Sequence, residues 1–253
     1  MAFDNLRTTA RAATHTDART AALDAGLRKH MLGIYNYMAS GVLLTGIVAY
    51  LVFTMAVSPT PSGQMALTAF GQAIYLSPLK WVLMLSPLAF ILVLSFGIQR
   101  LSASATQGLF WVFCALMGAS ISSIFLQYTG TSIARVFFIT AAAFAGLSLY
   151  GYTTKRDLSG MRSFLVMGLI GVIIASLVNI FLASSALHFA VSVIGVLVFA
   201  GFTAYDTQRI KSEYYHGYDT AVMAKKSVMD ALSLYLSFIN MFLLLLSLFG
   251  NRE

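Results

Sequence analysis

Apolar residues gather along this chain into seven long runs separated by short polar links. The runs cover residues 33–57, 80–99, 107–127, 132–153, 163–183, 187–208 and 229–249. Each is long enough to cross about 30 Å of hydrocarbon, which takes about 20 helical residues. Polarity does not alternate within them, as it would in the strands of a membrane barrel, so the pattern predicts helices. The expected fold is an all-α polytopic membrane protein. A polar cytoplasmic tail over residues 1–30, with some helix in it, precedes a seven-transmembrane-helix bundle over residues 31–250.

The links orient the runs. Residues 58–79 carry no basic residue, and neither do the links around 128–131 and 182–186. The other links hold Arg100, then Lys155, Arg156 and Arg162, then Arg209, Lys211, Lys225 and Lys226. Every second link is basic, in step with a tail that contains Arg7, Arg11, Arg19, Arg28 and Lys29. Cytoplasmic loops carry the excess of Lys and Arg, which puts the N-terminus in the cytoplasm and the C-terminus on the far side. Lys80, Arg135 and Arg252 depart from the alternation only at span edges or beyond the last run. The long first outer link, with Pro59, Pro61 and Gly63, reads either as a short interfacial helix over the outer mouth or as a plain surface loop.

Composition agrees with lipid as the main solvent. Of 253 residues, 58% are hydrophobic and only 10% charged, against about 25% charged in a soluble domain. Mean hydropathy is +0.81. The net charge of +7 would raise nucleic acid as a partner in a soluble chain, but here the basic residues anchor links, so none is expected. The single cysteine, Cys114, lies inside a run and offers neither an intrachain disulfide nor a metal site. The tail lacks an apolar core with a cleavage site behind it, so it does not read as a signal peptide, and its three aspartates argue against a transit peptide. Small residues such as Gly118, Ser120, Gly168, Gly171, Gly195 and Gly201 favour close helix packing.

Enzyme chemistry finds little to stand on. No phosphate loop, paired-His zinc motif or nucleophile elbow is present, and no cofactor is expected. The sharpest residue is Asp206, near the end of the sixth run. An ionisable group in a span is costly and often marks an ion or proton path. The alternative is an ordinary helical pair with Arg209, three residues on. In the seventh run, Ser237 and Asn240 share a helix face, and antiparallel packing of the last two spans brings Ser237 to a depth similar to that of Asp206.

Two stretches carry a resemblance. Residues 201–211 read G-F-T-A-Y-D-T-Q-R-I-K, and residues 231–240 read A-L-S-L-Y-L-S-F-I-N ahead of a last apolar run. Together with S-P-L-A-F at 86–90 and S-F-G-I-Q-R at 95–100, they resemble the Bax inhibitor-1 family of transmembrane Bax inhibitor motif proteins, in its bacterial branch. The likeness covers residues 25–250. It implies a bundle with the seventh span near the centre, in the bacterial cytoplasmic membrane. It also implies a Ca²⁺ leak governed by pH through two aspartates, one in each of the last two spans. Asp206 matches the first. Where the family pattern reads L-Y-L-D-F-I-N, this chain has Ser237, so the second carboxylate is expected to be absent and the gate altered. A lone carboxylate makes Asp206 a weak Ca²⁺ ligand, since Ca²⁺ prefers six to eight oxygens, and Ca²⁺ is expected as transported ion rather than cofactor. Arg100, where relatives carry a basic residue nearby, is the candidate counter-ion of Asp206. The likeness also implies a second class of function, a regulatory protein that restrains a membrane-anchored ATP-dependent protease, with the tail as docking handle.

Overall fold

The computed structural model describes residues 2–59, 65–97, 100–214 and 220–252; the side chains of 2–24, 95, 220 and 221 are not described. The tail charges up to residue 24, Pro61 and Gly63 of the first outer link and the last two residues of the second run fall outside. The elements are α1 (Ala2–Ala56), β1 (Val57–Pro59), β2 (Met65–Leu67), α2 (Ala69–Tyr75), α3 (Leu79–Gly97), α4 (Ala103–Ile121) with a 3₁₀ turn (Ser122–Leu126), α5 (Gly130–Thr153), α6 (Met161–Leu182), α7 (Ser185–Ser212) and α8 (Thr220–Phe249). Among the described residues, six helices are long and apolar enough to span alone, and α3 joins α2 across a 59° bend to make the seventh. The described residues of the first outer link form an antiparallel pair of strands, β1 with β2, followed by the short helix α2.

Local chemistry explains the breaks. Pro87 sits inside α3 and cannot donate to the Leu83 carbonyl. The neighbouring Ser86 hydroxyl donates to that carbonyl instead, at 2.9 Å. The turn from α6 to α7 needs a left-handed residue, Ala183 (φ 49°). The Ser184 amide then bonds to Asn179 Oδ1 at 3.0 Å, and the Ser184 hydroxyl caps α7 by accepting from Leu187 N–H.

The bonds at the two ends of the bundle are segregated, as antiparallel spans require. At the basic end Lys211 Nζ reaches the Tyr152 carbonyl (2.7 Å) and Lys225 Nζ reaches the Leu101 carbonyl (3.3 Å). At the other end Asn251 N–H donates to Ser132 Oγ (2.9 Å) and Tyr75 pairs with Ser122 (2.9 Å). The helix α8 packs against α1, α4, α5 and α7 and is the axis of the bundle. Tyr235 at its middle is wholly buried, edge-on to Phe110 and Phe113, with its hydroxyl 2.7 Å from Thr45 Oγ1. The Thr45 hydroxyl in turn faces the Cys114 carbonyl at 2.9 Å, so α1, α4 and α8 share one buried chain of hydrogen bonds. Two glycines set helix spacing: a Cβ on Gly118 would lie 2.5 Å from the Thr45 carbonyl oxygen of α1, and one on Gly151 would strike the Ala204 carbonyl of α7. By contrast α6 leans mainly on α7 and turns most of its side chains outward, where lipid covers them.

Candidate functional site

Asp206 lies in the second-to-last turn of α7 and is 5% exposed. Arg209, one turn on, bonds it through Nε and Nη2, each 3.2 Å from Oδ1. The second carboxylate oxygen accepts the Ser233 hydroxyl of α8 at 2.6 Å. The guanidinium does not stop there: the same Nη2 lies 3.4 Å from Oδ1 of Asp230, which is 3% exposed, in the third turn of α8. Glu213 approaches Arg209 Nη1 at 3.7 Å and is itself bonded by Lys226. The cluster is therefore two buried carboxylates from neighbouring helices around one shared cation, with a neutral Glu213–Lys226 pair on its cytoplasmic side. The free oxygen of Asp230 is buried without a partner among the described residues. One positive charge set between two buried negative ones leaves an excess of negative charge, which a proton or a passing cation would neutralise.

This geometry corrects three sequence expectations. A second carboxylate is present: it stands at Asp230, two helical turns before Ser237. The residue was legible as the second of the seventh apolar run, but α8 begins at Thr220, ahead of that run, so Asp230 is well inside the helix rather than at its edge. The hydroxyl that meets Asp206 belongs to Ser233, and Ser237 sits one turn farther from the cytoplasmic end. Arg100 is exposed and makes no ion pair among the described residues. The reason is placement: α3 packs on α4 rather than α7, and Arg209 already lies one turn from Asp206 on its own helix.

Asp230, Ser233, Ser237 and Asn240 follow one another at intervals of three, four and three residues, so they form a stripe on one face of α8. Above Asp206 this stripe borders a cavity of about 710 Å³ whose outer walls are α3 and α6. Ser237 and Asn240 line it, although the Asn240 amide donates to its own helix at the Leu236 carbonyl. A second space of about 440 Å³ shares Ser176, Ile180, Leu243 and Leu244 with the first and continues to His188 and Ser247, which are bonded at 2.7 Å near the far face. A third, of about 550 Å³, lies on the cytoplasmic side and is lined by Asp157, Gln208, Arg209 and Glu213. Asp206 borders the first space and Arg209 the third. The ion pair between them thus joins the lining of one space to the lining of the other. Gln208 steadies the cytoplasmic rim by accepting from Leu158 N–H (2.7 Å) and donating to the Arg156 carbonyl (2.8 Å) of the α5–α6 link.

Six apolar spans and a bent seventh define a polytopic helical membrane protein, and comparison with known families agrees. The family model described as inhibitor of apoptosis-promoting Bax1 matches residues 27–253. The chain belongs to the Bax inhibitor-1 family. It is 47% identical over 239 residues to a protein of Caulobacter vibrioides, covering 94% of each chain. A Rickettsia prowazekii protein is 48% identical over 238 residues, covering 94% of this chain and 96% of the relative. The inner membrane protein YbhL of Escherichia coli K12 is 47% identical over 231 residues, covering 90% and 94%.

Proposed function

We propose that the chain forms a pH-influenced leak path for cations, Ca²⁺ first among them, across the bacterial cytoplasmic membrane, with Asp206, Arg209 and Asp230 as its latch. The single observation that carries this reading is the buried triad of two carboxylates on one guanidinium, which joins the lining of a cavity beside α8 to that of a cytoplasmic space. With both carboxylates ionised, their excess charge draws a cation down the Asn240–Ser237–Ser233 stripe. Two carboxylates and a few hydroxyls fall short of the six to eight oxygens a resident Ca²⁺ takes, which suits passage rather than storage. A proton arriving at either carboxylate removes the excess charge and supplies a hydrogen-bond donor between α7 and α8, and so closes the route. The charged groups facing the pair are Arg209 on α7, Glu213 just past its end, and Lys226 on α8.

The test is Ca²⁺ entry into dye-loaded proteoliposomes between pH 8 and pH 5. Entry should fall as pH is lowered, and both Asp206→Asn and Asp230→Asn should flatten that dependence. Ser237→Asp, which adds a third carboxylate to the stripe, should shift the step along the pH axis. Identical traces for wild type and Asp206→Asn would remove Asp206 from the gate. No entry in any variant would move the reading to the regulatory class.

A further inference from the structure

A second large space in the bundle takes no part in the latch. It is a groove of about 630 Å³ between α1 and α5, floored by Phe238 of α8. The two walls each pack on α8 and stand apart from one another along most of their length. Ala39, Ala141 and Ala145 are the small residues that keep the groove open, and Met38, Val42 and Phe144 make its apolar lining. Its outer side faces the bilayer, since both walls are spans.

The groove has a direction. It begins at the cytoplasmic end, where the exposed Arg28 lines its mouth beside Tyr152. Lys211 stands over the Tyr152 ring, 4.7 Å from its centre, so a second cation flanks the same mouth. From there it follows α1 to Val42, about 21 Å at about 1.5 Å per residue. One leaflet of a bilayer offers about 15 Å of hydrocarbon plus its headgroup layer, so the groove is as deep as one lipid is long. Arg28 makes no ion pair among the described residues. The cytoplasmic leaflet is the one rich in anionic headgroups, and basic mouths of grooves between spans suit them.

We propose that the α1–α5 groove is a binding site for one anionic phospholipid of the cytoplasmic leaflet. Its phosphate lies at Arg28 and one acyl chain runs along Phe144 and Ala141 toward Val42. The apolar walls supply retention and Arg28 supplies headgroup choice, so the two properties separate by mutation.

The full chain in nanodiscs of equal phosphatidylglycerol and phosphatidylcholine, released into native mass spectrometry, reads both. Wild type should retain one lipid per chain with phosphatidylglycerol favoured about fivefold, the worth of one cation near an anionic surface. Arg28→Gln, an exposed position, should keep the lipid and lose the preference. Ala145→Trp, which fills the groove from its lipid side, should lose the retained lipid of either kind. Met167→Trp on the outward face of α6 is the control and should behave as wild type. Equal retention of the two lipids by wild type, or a preference that survives Arg28→Gln, overturns the headgroup site. Retention that survives Ala145→Trp, or that Met167→Trp also abolishes, overturns the groove.

Discussion

Two spaces of similar size open beside α8, about 710 Å³ on one side and about 630 Å³ on the other, and they share almost nothing else. The first is bordered by Asp206, Ser233, Ser237 and Asn240. The second meets α8 only at Phe238 and is lined mostly by aliphatic and aromatic side chains, with Ser148 and Tyr35 the polar exceptions before its charged mouth. One helix produces both because its faces differ: the stripe from Asp230 to Asn240 points toward α7, while Phe238 and Phe242 pack edge-on against Phe137 of α5. Helix spacing alone makes a cavity. What turns one of them into a candidate ion route is the buried charge at its floor, and removing that charge balance is the most direct way to break the comparison.

Arg209→Leu should have the largest effect. It leaves Asp206 and Asp230 buried side by side without their cation, and stripping one member from a buried ionic group destabilises by about 3–5 kcal/mol. The unfolding midpoint in detergent at pH 7.5 should drop steeply. It should recover in part at pH 5, where a proton can replace the lost guanidinium. A drop that is the same at both pH values would mean that the two carboxylates do not depend on Arg209 as a shared cation. In the other space, Phe144→Leu should be nearly indifferent to pH, since no carboxylate or histidine lines it.

A finer cut separates two serines one turn apart. Ser233→Ala removes a hydrogen bond to a buried carboxylate and should cost about 1.5–3 kcal/mol, the range for bonds to charged groups. Ser237→Ala removes a hydroxyl that borders the cavity without reaching Asp206 and should move the midpoint by less than half as much. If Ser237→Ala proves the costlier change, the polar stripe is anchored one turn higher than the geometry indicates.

The contrast also explains what the sequence could and could not reveal. Seven runs and their alternating charged links gave the spans, because burial in lipid and interfacial charge are properties of local composition. The ends were harder. Apolar content falls away at residue 229, yet α8 continues back to Thr220 through Lys225 and Lys226, because a helix persists into the interface for as long as its backbone bonds do. Asp230 stands inside the seventh run all the same, and a reading centred on Asp206 passed over it. Arg100 misled for another reason: its nearness to Asp206 depends on α3 packing beside α7, and no periodicity within either run carries that information. Ser233 lay on the same helix face as Ser237, and choosing between them needs the axial offset of α7 against α8, which only packing fixes.

The smallest effect is expected at the cytoplasmic space, where an aspartate lives under the opposite conditions. Asp157 is exposed in the α5–α6 link, and Ser159 bonds it twice, through its amide to Oδ1 and its hydroxyl to Oδ2, each at 2.8 Å. Those bonds, the amide's foremost, hold the Asp157 carboxyl below its ordinary value of 3.8. A carboxyl lowered in the folded state adds stability above its unfolded value and loses it as pH falls through the folded one. Asp157→Asn should therefore lower the unfolding midpoint slightly at pH 6, by less than Ser233→Ala does, and the gap should close as pH is taken below 3.8. Water around Asp157 screens what burial magnifies at Asp206 and Asp230. A gap at pH 6 as large as that of Ser233→Ala would mean that the link is bound more tightly to the bundle than its exposure allows, and that the cytoplasmic space belongs to the latch rather than standing in front of it.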